Sequence, residues 1–283
     1  MINILEKFVQ KSITIIREAR ACYKNIGVLF STGKDSVCLL DLIRKSFPEG
    51  RIPFKVIHLD TGEKFPEIYE FRDKLAEEWG FELIVARNEE GIKNTSPKNP
   101  FECCMARKTE NLKKVIEKYG FDAIMVGIRR DEHYIRNLER YFSPRDKEGR
   151  WKLLRPKTPE EMNKGDSPFV YHQEVELSGW NIFQTDFLNA HHVRIHPLLH
   201  WTELDVWRYI QKENLPVNPL YFARNGKRYR SLGCMPCTKP IDSDADTVEK
   251  IIKELEKKRG GERVGRQQDK ERIMRKLRAL GYC

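Results

Sequence analysis

The sequence predicts an α/β protein with a parallel sheet and helices on both of its faces. Over the first 130 residues, short apolar runs alternate with stretches of helical periodicity. The runs are apolar at consecutive positions, which is typical of strands buried on both faces of a parallel sheet. The chain has 283 residues, of which 40% are hydrophobic and 33% charged, and this composition suffices for one large core. Apolar strands separated by helices therefore predict an open, doubly covered sheet.

Four strands and three helices alternate after an amphipathic N-terminal helix. One of the three helices carries an apolar stripe of Ile68, Phe71, Leu75 and Trp79, and Gly120 ends another. The strands are predicted at residues 26–31, 54–60, 82–87 and 122–129, and the helices between them at residues 36–47, 66–80 and 107–120.

The N-terminal helix interleaves acidic and basic residues, and it lacks the uninterrupted apolar core of a signal peptide. Nowhere does the chain approach the roughly 20 consecutive apolar residues that a membrane-spanning helix requires. We therefore expect a cytoplasmic protein that has no membrane partner.

The second half of the chain is less regular. Residues 140–192 are rich in proline, glycine and charged side chains, and we expect them to form a long loop or insertion. A strand at 193–198 and a helix after Thr202, with Asp205 at the capping-box position, resume the pattern. The sequence thus predicts one α/β domain over residues 1–220 and an α-rich C-terminal appendage over residues 221–283.

A glycine-containing loop, FSTGKDS at residues 30–36, joins the first predicted strand to the first helix of the alternation. In an open α/β sheet, backbone N–H groups and a helix N-terminus bind phosphate at this junction. Gly33 lets the backbone approach an anion closely, and Lys34 offers a positive charge. Ser31 and Ser36 add hydroxyl groups. The spacing is not that of a Walker A motif. An ordinary β–α turn is the alternative, but position, composition and charge together favour a phosphate loop.

The pattern S-x-G-K-D-S at residues 31–36 resembles the loop of the ATP pyrophosphatases, which bind ATP and cleave it between the α and β phosphates. LDTGEKFPEIYEFRD at residues 59–73 and GIRRDE at residues 127–132 narrow the resemblance to the sulfonucleotide branch. Within that branch, the chain is similar over nearly its full length to the small, ATP-binding subunits of heterodimeric bacterial sulfate adenylyltransferases. Further shared segments are HPLLHWTELDVWRYI at residues 196–210, RYRSLGC at residues 228–234 and ERVGRQQD at residues 262–269.

This resemblance implies a PP-loop nucleotide-binding domain of the adenine nucleotide α-hydrolase type. The implied activity is the sulfate adenylyltransferase reaction of sulfate assimilation, with ATP, sulfate and Mg²⁺. A sulfate oxygen attacks the α-phosphorus of ATP, pyrophosphate leaves, and adenylyl sulfate is formed. The reaction is strongly unfavourable, and in the family a GTPase large subunit drives it. No second nucleotide motif is found in the sequence, so we expect that GTPase to be a separate partner chain.

The same resemblance assigns catalytic roles to Lys34, Arg129 and Arg130. Sulfate is a weak nucleophile, so catalysis depends on positioning and on neutralising charge. Lys34 belongs to the loop that holds the leaving pyrophosphate. Arg129 and Arg130 follow the fourth predicted strand, and arginine suits bidentate binding of sulfate or the α-phosphate. An ion pair of these arginines with Asp131 or Glu132 is the alternative.

The implied nucleotide-binding residues lie after the first and second predicted strands. Asp35 either orients the loop or helps to hold Mg²⁺. Asp60 either contacts the nucleotide or metal, or only caps the turn that follows it. The full set that the resemblance implies is Ser31, Thr32, Gly33, Lys34, Asp35, Ser36, Asp60, Thr61 and Gly62.

Four of the seven cysteines form a pattern of their own. An odd number of cysteines in a chain expected to be cytosolic argues against structural disulfides. The adjacent Cys103 and Cys104, with Cys234 and Cys237 in a C-x-x-C, resemble the iron–sulfur sulfonucleotide reductases, in which such cysteines bind a [4Fe–4S] cluster. We expect these four to be metal ligands, for iron–sulfur rather than zinc, because adjacent ligands are uncommon in zinc sites. Four reduced thiols are the alternative.

The cysteine pattern also supports a second function, reduction of adenylyl sulfate or its 3′-phosphorylated form to sulfite. A tail cysteine attacks sulfur in that family, and Cys283 ends this chain, but the usual tail motif is absent. The intact phosphate loop favours a bound triphosphate instead. It also argues against a non-catalytic binding module.

A tRNA-thiolating ATP pyrophosphatase is the third alternative. Residues 251–283 hold 11 Lys and Arg against 5 Asp and Glu, and such a basic tail suits a phosphate backbone. The tail resembles the adenylyltransferases, however, so nucleic acid is not an expected partner.

Several other chemically reactive residues are expected to be structural. Cys22 and Cys38 fall in apolar helical patterns and are predicted to lie in the core. His196 and His200, like His191 and His192, have no companions at a recognisable catalytic spacing. We expect His196 and His200 to pack or to make hydrogen bonds rather than to bind a metal.

Overall fold

The structure of the protein is a computed structural model. It describes residues 4–132, 136, 139–150, 184–187, 190–257 and 262, together with the backbone of two short strands at 155–156 and 169–170. Most of the loop or insertion predicted over residues 140–192 lies outside the described residues, and so does Cys283. No described helix combines the length and the apolar character that crossing a membrane requires.

The strands form one six-stranded sheet and two short antiparallel pairs. In chain order they are β1 (Ile26–Leu29), β2 (Lys55–Asp60), β3 (Leu83–Arg87), β4 (Ala123–Met125), β5 (Phe142–Arg145), β6 (Arg155–Pro156), β7 (Phe169–Val170), β8 (His192–Ile195), β9 (Lys227–Arg228) and β10 (Ile241–Asp242). The main sheet has the order β3-β2-β1-β4-β8-β5, and the pairs are β6 with β7 and β9 with β10.

The helices fall mainly between the sheet strands, which confirms the predicted α/β class. In chain order they are α1 (Ile4–Cys22), α2 (Lys34–Ser46), α3 (Pro66–Trp79), α4 (Glu89–Asn94), α5 (Pro100–Cys104), α6 (Glu110–Tyr119), α7 (Glu203–Glu213) and α8 (Val248–Lys257). The capping box of α7 is present as predicted, because Thr202 and Asp205 exchange hydrogen bonds between side chain and backbone.

Parallel pairing joins five strands of the main sheet, namely β3, β2, β1, β4 and β8, and β5 is the exception. It pairs antiparallel with β8, with Ser143 opposite Arg194. The sequence prediction of a loop from residue 140 was therefore wrong at its start, where the chain adds an edge strand. Pro144 lies within this strand, and proline is tolerated in strands mainly at a sheet edge.

The segment predicted as one helix over residues 107–120 is more complex. Met105–Thr109 is a π-helical turn that joins α5 to α6. A π-turn inserts an extra residue into the helical ladder and is frequent at functional sites. Gly120 ends α6 in the left-handed conformation, with φ at 63°, as the sequence predicted.

Helix α2 lies at the centre of the core and positions the phosphate loop. It contacts both α1 and α7. Val37, Cys38, Leu39 and Leu40 are wholly buried. The prediction that Cys38 is a core residue is confirmed, whereas Cys22, the last residue of α1, is exposed and that prediction was wrong. The end of an amphipathic helix extends past the core that its middle covers.

The segment predicted to be a C-terminal appendage packs on the preceding part of the chain. Helix α8 contacts α7, and its Ile251 is fully buried. The buried Arg228 of β9 is joined to Glu254 of α8 at 3.1 Å. The appendage thereby places residues from beyond Tyr221 close to the C-terminal edge of the main sheet.

Candidate active site

The phosphate loop is held by its own hydroxyl groups. Ser36 donates a hydrogen bond from Oγ to the carbonyl oxygen of Gly33 at 2.8 Å, and its Oγ lies 3.3 Å from that of Ser31. Thr32 is fully buried and has a φ of 65°, a left-handed conformation that is rare for a β-branched residue. Such strain persists only where the surrounding structure enforces it, and it is concentrated at functional sites.

A glycine brings the loop against the neighbouring strand. A Cβ atom on Gly127, which follows β4, would lie 3.0 Å from the carbonyl oxygen of Asp35. A larger residue there would push the start of α2 away from the strand. Because Gly127 has no side chain, the segment that follows β4 can lie directly beside the phosphate loop.

Lys34 is the first residue of α2 and its side chain is inaccessible to solvent. Its Nζ lies 2.5 Å from a carboxylate oxygen of Glu262, 3.7 Å from Glu203 and 3.2 Å from the carbonyl oxygen of Arg230. Its backbone N–H donates to the hydroxyl of Tyr221 at 2.9 Å. Both the ammonium and the amide of Lys34 are therefore directed at oxygen atoms, as an anion-binding loop requires.

Arg129 is also fully buried, and it shares the Glu262 carboxylate with Lys34. Its Nη2 donates to one oxygen of Glu262, and Nε donates to Asp131 at 2.9 Å. Its guanidinium also contacts Asp35. Burial alone would raise the pKa of the Glu262 carboxyl, but Lys34 and Arg129 hold that pKa well below its ordinary value. Two of the three predicted catalytic residues thus converge on one oxyanion.

Arg130 is directed elsewhere. Its Nη2 donates to the carbonyl oxygen of Glu139 at 3.1 Å, and its guanidinium carbon lies 5.8 Å from the centre of the Tyr141 ring. Strand β4 ends at Met125, earlier than predicted, so Arg129 lies in the connection after it and Arg130 begins a 3₁₀ turn, Arg130–Glu132. The side chains of Arg129 and Arg130 point in different directions, and of the two only Arg129 shares the Glu262 carboxylate with Lys34.

A pocket opens above the loop at the C-terminal edge of the sheet. Of the predicted nucleotide-binding residues, Ser31, Gly33, Asp35 and Ser36 line it. Asp60, Thr61 and Gly62 are not among its lining residues. Pocket residues that the sequence reasoning did not assign to nucleotide binding are His58, Lys64, Lys108, Glu132, Arg136, Tyr221, Ser231, Leu232, Gly233 and Glu262.

Asp60 caps the turn after β2, which was one of the two interpretations of this residue. Its Oδ1 accepts hydrogen bonds from the Gly62 N–H and the Tyr69 hydroxyl, both at 2.8 Å. Its Oδ2 lies 3.2 Å from Arg87. Burial opposes ionisation, but these hydrogen bonds and Arg87 lower the pKa of Asp60. Gly62 has a φ of 72°, so the turn needs glycine at this position.

Three carboxylates beside the loop offer oxygen ligands to a cation. Oxygen atoms of Asp35, Glu132 and Glu262 all lie within 4.8 Å of one another. Mg²⁺ prefers oxygen ligands and combines one or two carboxylates with phosphate oxygens. The residues present therefore suit a Mg²⁺ ion that accompanies a phosphate ligand.

The four predicted metal-ligand cysteines are buried and are not in disulfide bonds. Cys103 and Cys104 end α5, whereas Cys234 precedes a single 3₁₀ turn and Cys237 ends it. Burial raises the pKa of Cys103 to about 11, with smaller contributions from Cys104 and Cys234, while Arg107 opposes the rise. The two cysteine pairs therefore lie within electrostatic reach of each other.

The turn that carries Cys234 is attached to the turn after β2. The Oγ1 of Thr61 lies 3.2 Å from the Sγ of Cys234, and Met235 donates its N–H to the carbonyl oxygen of Glu63 at 2.7 Å. The buried guanidinium of Arg107 donates to the carbonyl oxygen of Thr61 at 3.1 Å. Thr61 therefore belongs to the cysteine site.

The histidines near β8 behave as predicted. His196 Nδ1 lies 2.7 Å from the carbonyl oxygen of Arg140, and His200 Nε2 lies 3.2 Å from that of Phe8. Burial lowers the pKa of both to about 4. They are neutral, hydrogen-bonded packing residues.

Comparison with solved structures agrees with the fold. The phosphoadenylyl-sulfate reductase from Candida auris in a phosphate complex matches with a TM-score of 0.51 and 16% identity, over 84% of this chain and 98% of that one. The FMN adenylyltransferase from Candida glabrata in complex with ATP matches with a TM-score of 0.51 and 18% identity, over 81% of this chain and 61% of that one. At these identities the likeness extends to the fold alone.

Sequence relatives are closer and cover nearly the whole chain. The phosphoadenosine phosphosulfate reductase domain matches residues 25–240. Sulfate adenylyltransferase subunit 2 of Shewanella pealeana is 39% identical, over 93% of this chain and 91% of that protein. Its counterpart from Shewanella amazonensis is 38% identical, over 100% and 98%. The one from Pseudomonas aeruginosa is 37% identical, over 98% and 97%. The chain therefore belongs to the phosphoadenosine phosphosulfate reductase domain family and, within it, to the group of proteins named sulfate adenylyltransferase subunit 2.

Proposed function

We propose that the protein is the ATP-binding subunit of a sulfate adenylyltransferase, which converts ATP and sulfate to adenylyl sulfate and pyrophosphate in sulfate assimilation. The relatives named sulfate adenylyltransferase subunit 2 support this function. The observation that carries it is the convergence of Lys34 and Arg129 on a single carboxylate beside the N-terminus of α2. A pair of buried cations that already binds one oxyanion is suited to bind the oxyanions of the substrates.

The proposed chemistry is an in-line displacement. A sulfate oxygen forms a bond to the α-phosphorus, the bond from that phosphorus to the oxygen of the β-phosphate breaks, and pyrophosphate takes the electron pair. Negative charge accumulates on the leaving group, so a positive charge fixed in a dry site lowers the barrier. Lys34 and the N-terminus of α2 are assigned to the pyrophosphate, with Ser31, Gly33 and Ser36 around it.

Arg129 is assigned to sulfate or the α-phosphate. Its planar guanidinium can bind two oxygens of a tetrahedral anion at once. Arg130 was expected to share this role, but its contacts with Glu139 and Tyr141 suit a positioning role for the segment instead. We therefore assign the oxyanion to Arg129 alone.

Mg²⁺ is proposed to bind at Asp35 and Glu132, whose carboxylates lie together beside the loop. When bound, the ion would neutralise charge on the phosphates. Asp60, Thr61 and Gly62 are assigned to the wall that supports the pocket, since Asp60 caps the turn and Thr61 touches Cys234.

A [4Fe–4S] cluster is proposed at Cys103, Cys104, Cys234 and Cys237. Their burial supports it, and so does the electrostatic contact of Cys103 with Cys104 and Cys234. Such a cluster supplies either electron transfer or a covalent link between α5 and the appendage. Protein purified without oxygen should contain iron and acid-labile sulfide and absorb visible light. Colourless protein free of iron, with unchanged folding, would exclude the cluster.

A GTPase large subunit is the proposed partner, and the cytoplasm the proposed location. The number in the relatives' name, subunit 2, supports a second subunit. The unfavourable equilibrium of adenylyl sulfate formation supports a partner that supplies energy from a second nucleotide.

The test is to incubate the pure protein with ATP, Mg²⁺ and sulfate, with and without the GTPase partner and GTP, and to measure pyrophosphate. We expect sulfate-dependent pyrophosphate release with the partner present. The four cysteines favour a second candidate, a sulfonucleotide reductase, so adenylyl sulfate and a thiol reductant are assayed for sulfite in parallel. Sulfite formation without adenylyl transfer would replace the first proposal by the second.

A further inference from the structure

Glu262 is distant in sequence from the phosphate loop, yet it occupies the centre of the site. It lies beyond α8, in the C-terminal appendage, and its side chain is 3% exposed. One carboxylate oxygen accepts from Lys34 Nζ at 2.5 Å, and the other accepts from Arg129 Nη2. A carboxylate thus fills the position at which the two buried cations meet.

Lys34 and Arg129 are already paired with carboxylates on several sides. Besides Glu262, Lys34 has Glu203 at 3.7 Å and Asp35 at 3.9 Å, and Arg129 contacts Asp35 and has Asp131 at 2.9 Å. With Arg230, which is paired with Glu203, three cations therefore already face four carboxylates. A pyrophosphate or triphosphate group added to this cluster would meet net negative charge in a buried place, which is strongly unfavourable. One carboxylate has to leave when the ligand enters.

Glu262 is the carboxylate whose departure disturbs the fold least. Glu203 accepts hydrogen bonds from Arg230 at both oxygens, with Oε1 at 3.2 Å and Oε2 at 3.0 and 2.7 Å. Asp131 accepts the Glu203 N–H at 2.7 Å. Asp35 belongs to the first turn of α2. Among the described residues, the hydrogen bonds of Glu262 all go to Lys34 and Arg129.

We propose that Glu262 is an internal counter-ion that occupies the oxyanion position of the empty site and is exchanged for a phosphate group of the ligand. The inference rests on the proposed function in one respect, namely that Lys34 and Arg129 bind substrate oxyanions. Exchange means that the measured affinity for the ligand is the intrinsic affinity reduced by the competition of Glu262. The appendage thereby sets how tightly the phosphate loop binds its ligand.

A different role of Glu262 makes the opposite prediction. If Glu262 holds Mg²⁺ with Asp35 and Glu132, it assists binding of the metal–nucleotide complex instead of opposing an anion. Removing its charge would then weaken binding in the presence of Mg²⁺. It would leave binding without divalent cations unchanged.

The experiment is calorimetric titration with pyrophosphate in EDTA, using the wild-type protein, Glu262→Gln and Glu254→Gln. Glutamine keeps the size of the side chain and removes its charge. Glu254 is a matched control, because it lies in the same appendage but pairs with Arg228, away from the pocket. We expect Glu262→Gln to bind pyrophosphate on the order of tenfold more tightly than the wild type, and Glu254→Gln to bind it equally.

The outcomes separate this inference from the proposed function. If the wild type binds pyrophosphate and Glu262→Gln binds it equally or more weakly, the counter-ion role is overturned and the function stands. Loss of affinity in Glu262→Gln confined to Mg²⁺-containing buffer would also overturn it, in favour of a metal ligand. If none of the proteins binds pyrophosphate, the phosphate-loop assignment falls with the inference.

Thermal unfolding provides a second measurement. Without ligand, Glu262→Gln should unfold at a lower temperature than the wild type, because two buried cations lose a charge partner. Pyrophosphate should raise its unfolding temperature by more than it raises that of the wild type. An equal or smaller rise would contradict exchange. If the glutamine variant does not fold, Glu262→Asp is used, because it keeps the charge but shortens the side chain. Pyrophosphate should then raise the unfolding temperature of Glu262→Asp by more than that of the wild type, but by less than expected for the glutamine variant.

Discussion

The phosphate loop and the cysteine site lie on the same sheet edge, but they are built differently. The loop is one continuous segment, residues 31–36, fixed between β1 and the buried start of α2. The cysteine site joins the end of α5 to a turn of the appendage, and its parts meet only in the folded chain. A continuous site is specified by local sequence, whereas the cysteine site depends on how the appendage docks.

The two regions nevertheless share a wall. Ser231, Leu232 and Gly233 line the pocket, and Cys234 follows them directly. Thr61 contacts Cys234 from the turn after β2. Variants at each site, with matched controls, therefore measure whether the phosphate loop and the cysteine site act separately.

The largest expected effect comes from the loop itself. Lys34→Ala should lower kcat/KM for adenylyl transfer by about 10³-fold or more, because no other group replaces a buried charge directed at the phosphates. Lys45→Ala is the matched control on the same helix. Lys45 is partly exposed and pairs with Asp41 and Glu213, so its loss should change kcat/KM by less than about twofold. Full activity of folded Lys34→Ala would contradict the loop assignment.

The neighbouring arginines provide the next test. Arg129→Lys keeps a charge but loses the planar fork, and we expect kcat to fall by roughly 10²-fold. Arg130→Lys should lower kcat by less than about threefold, since Arg130 faces Glu139 and Tyr141 instead of Lys34. Steady-state kinetics on both variants measures the difference. Equal losses would show that both arginines bind the oxyanion.

Substitutions at the cysteines test whether the two regions are separable. Cys103→Ser and Cys234→Ser each replace a proposed thiolate ligand of the cluster by a hydroxyl, so bound iron should fall by at least about half. Pyrophosphate affinity should change by less than about threefold, because the loop does not depend on these side chains. Cys22→Ser, at an exposed cysteine, should alter neither quantity. Loss of pyrophosphate binding together with iron would show that the sites are coupled through their shared wall.

The smallest effect concerns the scaffold that carries both regions. Burial lowers the pKa of His196 to about 4 in the folded protein, against an ordinary value near 6.5. Between these values the unfolded chain binds the proton and the folded protein does not. Stability is therefore fully present above pH 6.5 and declines as the pH falls toward 4, at about 1.4 kcal/mol per pH unit for this residue.

Denaturant unfolding at several pH values measures that slope. His196→Gln should reduce the slope by about one proton, because glutamine can still donate to the Arg140 carbonyl oxygen but does not titrate. A slope that His196→Gln leaves unchanged would mean that His196 is not buried as a neutral group.

Local features of the fold and site could be predicted from the sequence because adjacent residues determine them. The strand–loop–helix unit at Gly33 and the capping box of Thr202 and Asp205 both follow from residues a few positions apart. Gly120 likewise ends its helix by its own conformational freedom. Each of these predictions holds in the structure.

Features that depend on distant contacts could not be predicted in the same way. Tyr221 and Glu262 contact Lys34 from the appendage, and no local sequence pattern predicts either contact. Strand β5 was missed because it is short, contains Pro144 and gains its partner β8 only across the insertion. Arg129 and Arg130 are equivalent in the sequence, and only the early end of β4 separates their directions.

The reverse reaction tests the central claim most directly, because it is favourable and needs no energy from a second nucleotide. The protein, alone and with the proposed GTPase partner, is given adenylyl sulfate, pyrophosphate and Mg²⁺, and the ATP formed is measured by luminescence. We predict ATP formation that depends on pyrophosphate and is lost in Lys34→Ala. No ATP under these conditions, with sulfite formed from adenylyl sulfate once a thiol reductant is added, would contradict adenylyl transfer.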